Sequence, residues 1–379
     1  MAMAITGGLS ITGGMNLFMP NYIPPTPPPP TRLYSWGYNN NGQLGTNDAV
    51  SRSSPVQVGA LTTWSRVSIG TYNTIATKTD GTLWAWGRNA FGQLGQNDTT
   101  NRSSPTQVGT LTTWSLVSTG NYTTVAIKTD CTLWAWGYNY FGALGLGDNV
   151  NRSSPTQVGS GTTWSLVSVG QYVTAAIKTN GTLWAWGLND SGQLGLGNTG
   201  TVYSPTQVGS GTTWSLVSAG YYTTAAIKTD GTLWTWGYNL WGQLGQNDRA
   251  NRSSPVQVGS GTNWSQVSTG QYNTIATKTD GTLWTWGLNA NGQLGTGDTV
   301  NRSSPVQVGA LTTWSQVSTG SPTVATKTDG TLWTWGYNNN GTLGLGDNVN
   351  RSSPVQVGAL TTWSQVSMGA NSTMAITTN

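Results

Sequence analysis

The chain has 379 residues, among them 52 glycines and 21 tryptophans, yet only 7% are charged, every acidic residue is aspartate and histidine is absent. Its formal charge of +4 comes from Lys and Arg spread along the sequence, so no basic patch for nucleic acid is expected. The single Cys131 excludes an internal disulfide, and no apolar run is long enough to cross a bilayer as a helix.

Residues 1–32 open the chain with a small duplication, "AITGGLSITGG", and a proline run from Pro24 to Pro30. The prolines favour an extended spacer of about 3.1 Å per residue. Too little apolar surface precedes them to fold alone, and neither the basic start nor the apolar stretch of a signal peptide is present. This arm is expected to dock onto another protein through Ile5, Leu9, Ile11, Met15, Leu17, Phe18 and Tyr22, adding β-structure to an exposed edge.

Residues 33–379 are a tandem repeat. A Trp-Gly dipeptide falls at Trp36, Trp86, Trp136, Trp186, Trp236, Trp286 and Trp335, a spacing of 50 that shortens once to 49. Each unit reads as four short strands, for example "SPTQVG", "WSLVS", "TTVAIKT" and "TLWAWG", rich in β-branched and aromatic residues and separated by Gly, Asn, Asp and Ser. No helical period is visible, so the class is all-β. Asp80-Gly81, Asn180-Gly181, Asp230-Gly231, Asp280-Gly281 and Asp329-Gly330 predict tight hairpins between the third and fourth strands, because such turns need positive φ. Cys131 stands where glycine belongs. Side chains two apart on a strand leave from one face, so Trp84 and Trp86, with their equivalents, are expected to fill the wedge between sheets.

The ends of the repeat are incomplete in complementary ways. "RLYSWG" near the start is a fourth strand without a third, and "STMAITTN" at the end is a third without a fourth. Pairing Leu33–Trp36 with Met374–Thr378 closes a seven-bladed β-propeller of four-stranded blades, leaving no long open edge.

"WGYNYFGALGLGDNVNRSSPTQVG", from Trp136 to Gly159, resembles the unit "WGxNxxGQLGxGDxxxRxxPxxV" of the regulator of chromosome condensation repeat family. The resemblance covers residues 33–379, implies the same propeller, and is read here as that of a phage or bacterial member. The family's prototype is a nucleotide exchange factor for a small nuclear GTPase that also binds chromatin. This chain departs from it: Asn73, Thr123, Val173, Thr223, Asn273 and Ser372 stand where the family usually has histidine, and no repeat carries an inserted wedge.

Within the long loop of each unit an Asp and an Arg four residues later recur, as in Asp148 and Arg152, and are expected to form a structural ion pair. The fourth unit departs, with Asn198 and Tyr203 read at the place of the pair. Residues copied around a ring read as scaffold, so recognition is expected where copies disagree. The loops after each Trp-Gly display Arg88, Phe91, Tyr140, Phe141, Asp190, Leu240 and Trp241, aromatics on otherwise polar tips that suit binding anchors. A second divergent set is Thr71, Asn121, Gln171, Tyr221 and Gln271.

The Ile-Thr-Gly-Gly opening is similar to those of tailed-bacteriophage structural proteins. The leading expectation is therefore a bacteriophage virion component, a tail or capsid appendage held to other virion proteins by the arm. Its disc would stabilise the particle or bind a host-surface glycan or protein. The alternatives are an extracellular or cell-surface bacterial adhesin or scaffold, and an exchange-factor-like regulator of a small GTPase. No enzymatic chemistry, cofactor, metal, nucleic acid or membrane insertion is expected.

Overall fold

A computed structural model describes residues 30–378. They form seven four-stranded antiparallel sheets with no helix among the described residues. Six sheets are continuous in sequence, beginning with Trp64–Ile69, Asn73–Lys78, Leu83–Gly87 and Arg102–Gln107, each strand lying next to the one before it. The first strand of each set lies innermost, against its counterparts in the two neighbouring blades.

The seventh sheet joins the two ends of the ring. Thr31–Gly37 pairs with Ser372–Thr378 in unbroken register, from Thr31 opposite Thr378 to Gly37 opposite Ser372. Leu33 meets Ile376, as the half-repeats at the two ends predict, and Trp36 meets Thr373, one residue before the expected partner segment Met374–Thr378. The predicted arm residues from Ile5 to Tyr22 lie outside the described residues.

Closure is reinforced around the axis by a ring of serines. Ser68 Oγ accepts the backbone N–H of Thr119 at 3.0 Å, Ser118 that of Val169 at 3.0 Å, and Ser168 that of Ala219 at 2.9 Å. Ser218, Ser268 and Ser318 continue to Thr269, Thr319 and Met368, and Ser367 returns to Ile69 at 3.1 Å. Each blade is thus tied to the next by a hydroxyl that a repeat places at one fixed point of its inner strand. The approach is tight beside it: a Cβ on Gly120 would lie 1.8 Å from the Gly170 carbonyl oxygen, so no other residue fits.

The tryptophans divide their work more sharply than alternation alone implies. Trp136 is fully buried and its indole N–H donates to the Gln93 carbonyl of the preceding blade at 3.0 Å. Trp134, two residues earlier on the same face, is only half-buried at the blade's edge, with the Lys128 ammonium 3.5 Å above its ring. Trp114 of the inner strand stands edge-on to both, at 6.2 and 5.9 Å between centroids. Around this triad Ile75, Leu83, Leu94 and Val108 of the preceding blade complete an apolar cluster that spans the gap between blades. Cys131 adopts φ of 62°, the left-handed conformation its turn demands and a side chain resists.

Candidate functional site

The inner strand of each blade ends in a short loop to the second strand, and the third strand ends in the long Trp-Gly loop. Antiparallel pairing puts these two loops at the same end, since Asn73 lies opposite Gly87 and Thr123 opposite Gly137. The two sets of residues that vary between copies therefore share one face of the disc.

The long loop is held from within. Asn89 is fully buried; its Oδ1 accepts the Leu94 N–H at 2.9 Å and its Nδ2 donates to Asp98 Oδ1 at 2.9 Å. Asp98 in turn accepts the Thr100 N–H and binds Arg102 at 2.6 Å. These bonds, outweighing the effect of partial burial, hold the Asp98 carboxyl below the usual carboxylate range. The same ion pair recurs at Asp48, Asp148, Asp248, Asp298 and Asp347, as the repeat predicts. In the fourth blade the arginine's position is taken by Val202, opposite Gly187, and not by Tyr203; Tyr203 instead packs against Gly142 of the preceding blade. With the loop base fixed, residues at the tip are presented at little further ordering cost.

Four of the expected anchors come together. Phe91 packs against Tyr122 and Tyr138 at 5.3 and 4.9 Å, and Tyr140 packs against Phe141 at 5.0 Å. Tyr138 joins the two groups, stacking on Tyr140 at 6.4 Å, while Phe141 reaches Tyr172 at 5.0 Å. The Arg88 guanidinium lies 5.5 Å from both the Tyr72 and Tyr122 rings. The result is one aromatic surface over the second, third and fourth blades with a cation at one side and Tyr140, 60% exposed, at its crest. Burial raises the Tyr72 and Tyr138 phenols, so both stay neutral donors.

Asp190 is exposed beside this surface and accepts a bond from Gln193 at 3.1 Å. Leu240 is exposed on the fifth blade's loop with Trp241 half-buried next to it. Among the described ring contacts none joins Trp241 to the aromatic surface. Tyr72, Tyr122, Tyr138 and Tyr172 escape a search for divergent residues, because tyrosine recurs at these positions in most copies and reads as scaffold. Their place on loops, where no sheet packing calls for an aromatic, is the signal that distinguishes them.

The second divergent set surrounds the mouth of the central channel, a cavity of about 180 Å³. Tyr221 lies across it: its hydroxyl sits 3.0 Å from Thr71 Oγ1, on a blade three positions round the ring, and Asn121 is bonded to both. Burial raises the Tyr221 phenol, an effect the Thr71 and Asn121 hydrogen bonds partly offset. At the positions where the family usually has histidine, Asn73 and Asn273 donate to Thr119 and Thr319 of the next blade, both at 2.7 Å. Thr123 and Thr223 donate to the Tyr138 and Tyr238 carbonyls. These side chains bind structure together.

Residues 159–379 match the RCC1-like domain, and residues 32–77, 80–127 and 131–177 match the regulator of chromosome condensation (RCC1) repeat. No curated protein matches the chain. Among solved structures it is similar to human WBSCR16, with 22% identity over 92% of this chain and 99% of that one and a TM-score of 0.82. Yeast RCC1 (Prp20) bound to Kap60 is similar at 17% identity, with 93% and 89% covered and a TM-score of 0.83. A structure of Prp20p from Saccharomyces cerevisiae, described with its binding to Gsp1p and histones, has 18% identity, 93% and 92% covered and a TM-score of 0.83.

These relatives correct the expectation of a virion component. They are proteins of human and yeast cells, and the partners named with them are Kap60, Gsp1p and histones, in place of virion proteins or a host-surface glycan. Location in a virion or outside a cell falls with it. That expectation rests on the short Ile-Thr-Gly-Gly opening, which lies outside the described residues. Both the strand order and the matched repeats, which between them run from residue 32 to 379, place the chain in the regulator of chromosome condensation (RCC1) repeat family.

Proposed function

We propose that the protein is an exchange-factor-like regulator of a small GTPase, meeting its partner with the face that carries the divergent loops. The observation that carries this reading is the aromatic surface of Arg88, Phe91, Tyr140 and Phe141 with its supporting tyrosines, on loops braced from beneath. Aromatic anchors ringed by polar groups supply most of the energy of protein interfaces. Asp190, Leu240 and Trp241 form the rim of the same footprint. RCC1-like propellers act mostly by binding, and binding suffices for exchange. A regulator that holds the nucleotide-free GTPase more tightly than the loaded one weakens nucleotide binding by the same factor. Of the partners named for the yeast relative, a GTPase suits this chain better than a histone, because its +4 charge offers a basic protein no attraction.

The test is release of a fluorescent GDP analogue from Gsp1p and a panel of other small GTPases in the presence of the full chain. Accelerated release, lost when Arg88, Phe91, Tyr140 and Phe141 are all changed to Ala, supports the proposal. Neither binding nor acceleration across the panel overturns it.

A further inference from the structure

At the opposite end of the strands, six of the seven gaps between blades hold a lysine in a corner of two tryptophans, and Thr377 takes its place opposite Trp363 in the seventh. Lys78, Lys128 and Lys327 are all buried, and since Thr31 runs beside the gap at Lys78, the two open cases are Lys128 and Lys327. They are 8% and 9% exposed, with each ammonium 3.5 and 3.6 Å from one indole and 4.9 and 5.0 Å from the other. The indole faces offset part of the cost of removing the cation from water but accept no ordinary hydrogen bond. Among the described residues every ion pair is Arg–Asp, and neither lysine ammonium is a hydrogen-bond donor. The nearest carboxylates in sequence, Asp130 and Asp329, are taken up by Thr132 and Thr331 in the hairpin turns. Burial accordingly lowers both lysines, with only partial compensation from those aspartates.

Each of these ammonium groups faces a cavity, of about 390 Å³ at Lys128 and about 470 Å³ at Lys327. That is the size range of small-ligand sites. Leu111, Pro155 and Trp134 wall the first, and Leu311, Pro354 and Trp333 the second. The gaps at Lys178 and Lys278 have Gly161 and Gly261 in place of the leucine and a more exposed lysine. At Lys78, Leu61 is present, but the chain's own Thr31 runs alongside, its N–H donating to the Thr62 carbonyl at 2.9 Å.

We propose that the gaps at Lys128 and Lys327 bind small monocarboxylates with an apolar body. The ammonium takes the carboxylate in a charge-assisted hydrogen bond, and the leucine, proline and outer tryptophan take the body. These sites are separate from the aromatic face and stand or fall independently of GTPase binding.

The test is titration of the full chain with benzoate and with hexanoate, followed by tryptophan fluorescence and calorimetry, against benzamide as the uncharged counterpart of benzoate. Saturable binding at two sites per chain is expected, with benzamide weaker by about tenfold or more. Lys128→Met with Lys327→Met, folding checked by circular dichroism, removes the preference for the acid. Absence of saturation with both acids, equal binding of benzamide, or an unchanged response in a folded double variant overturns the proposal. The comparison of benzoate with benzamide on the unaltered chain decides the matter even if the double variant does not fold.

Discussion

The two ends of each blade follow opposite rules. At the end of Trp114, Lys128 and Trp134 the copies agree, and what they build is a clamp repeated from blade to blade. At the end of Phe91, Tyr140 and Tyr221 the copies differ, and the ring's symmetry is broken by a one-sided aromatic surface and a tyrosine laid across the channel. The tryptophans and serines that join blade to blade recur around the ring, whereas the loop tips differ from copy to copy and build the aromatic surface.

Substitutions at the two places should separate stability from binding. Trp136→Ala empties a fully buried site and leaves the Gln93 carbonyl with the Thr124 hydroxyl as its remaining side-chain donor, and is expected to cost about 3–5 kcal/mol in denaturant unfolding. Arg88→Ala with Phe91→Ala should leave the unfolding midpoint nearly unchanged while weakening partner binding by about tenfold or more, read by calorimetry. Equal losses of stability from both would erase the distinction between the two ends.

Smaller effects probe the ring itself. Ser168→Ala leaves the Ala219 N–H without its acceptor and should cost about 1 kcal/mol, in the same denaturant assay. Cys131→Gly relieves the left-handed turn and should stabilise by about 1 kcal/mol, seen as a raised melting temperature.

Acid supplies the mildest perturbation. Hydrogen bonds from the Thr82 hydroxyl and N–H hold the Asp80 carboxyl below its usual value, as Thr282 does for Asp280. A carboxyl depressed in the folded state contributes stability above its unfolded value, lost as pH falls through the folded one. With no histidine to titrate between pH 5 and 8, the melting temperature should stay level there and fall only below about pH 4.

Much of this architecture is legible in the sequence because it is written seven times. The Trp-Gly spacing, the Asp-Gly hairpins and the half-repeats at the two ends lead to the closing pair of Leu33 with Ile376. The serine ring is hidden in the same repetition, since "WSxVS" shows a strand but not that its last hydroxyl reaches the next blade's N–H. The aromatic surface is half legible: Phe91, Tyr140 and Phe141 differ between copies, whereas Tyr122 and Tyr172 recur and gain their role only from where the loops bring them. Tyr221 was visible as a variant residue, but its reach to Thr71 depends on ring curvature that no local pattern encodes.

The binding face is tested most directly by amide hydrogen exchange of the full chain, alone and with saturating Gsp1p or the panel GTPase that binds it. Protection should gather in the loops around Tyr72, Arg88–Phe91, Tyr122, Tyr138–Phe141 and Tyr172. Protection confined to the strand ends at Trp114, Lys128 and Trp134, with those loops unchanged, would contradict it.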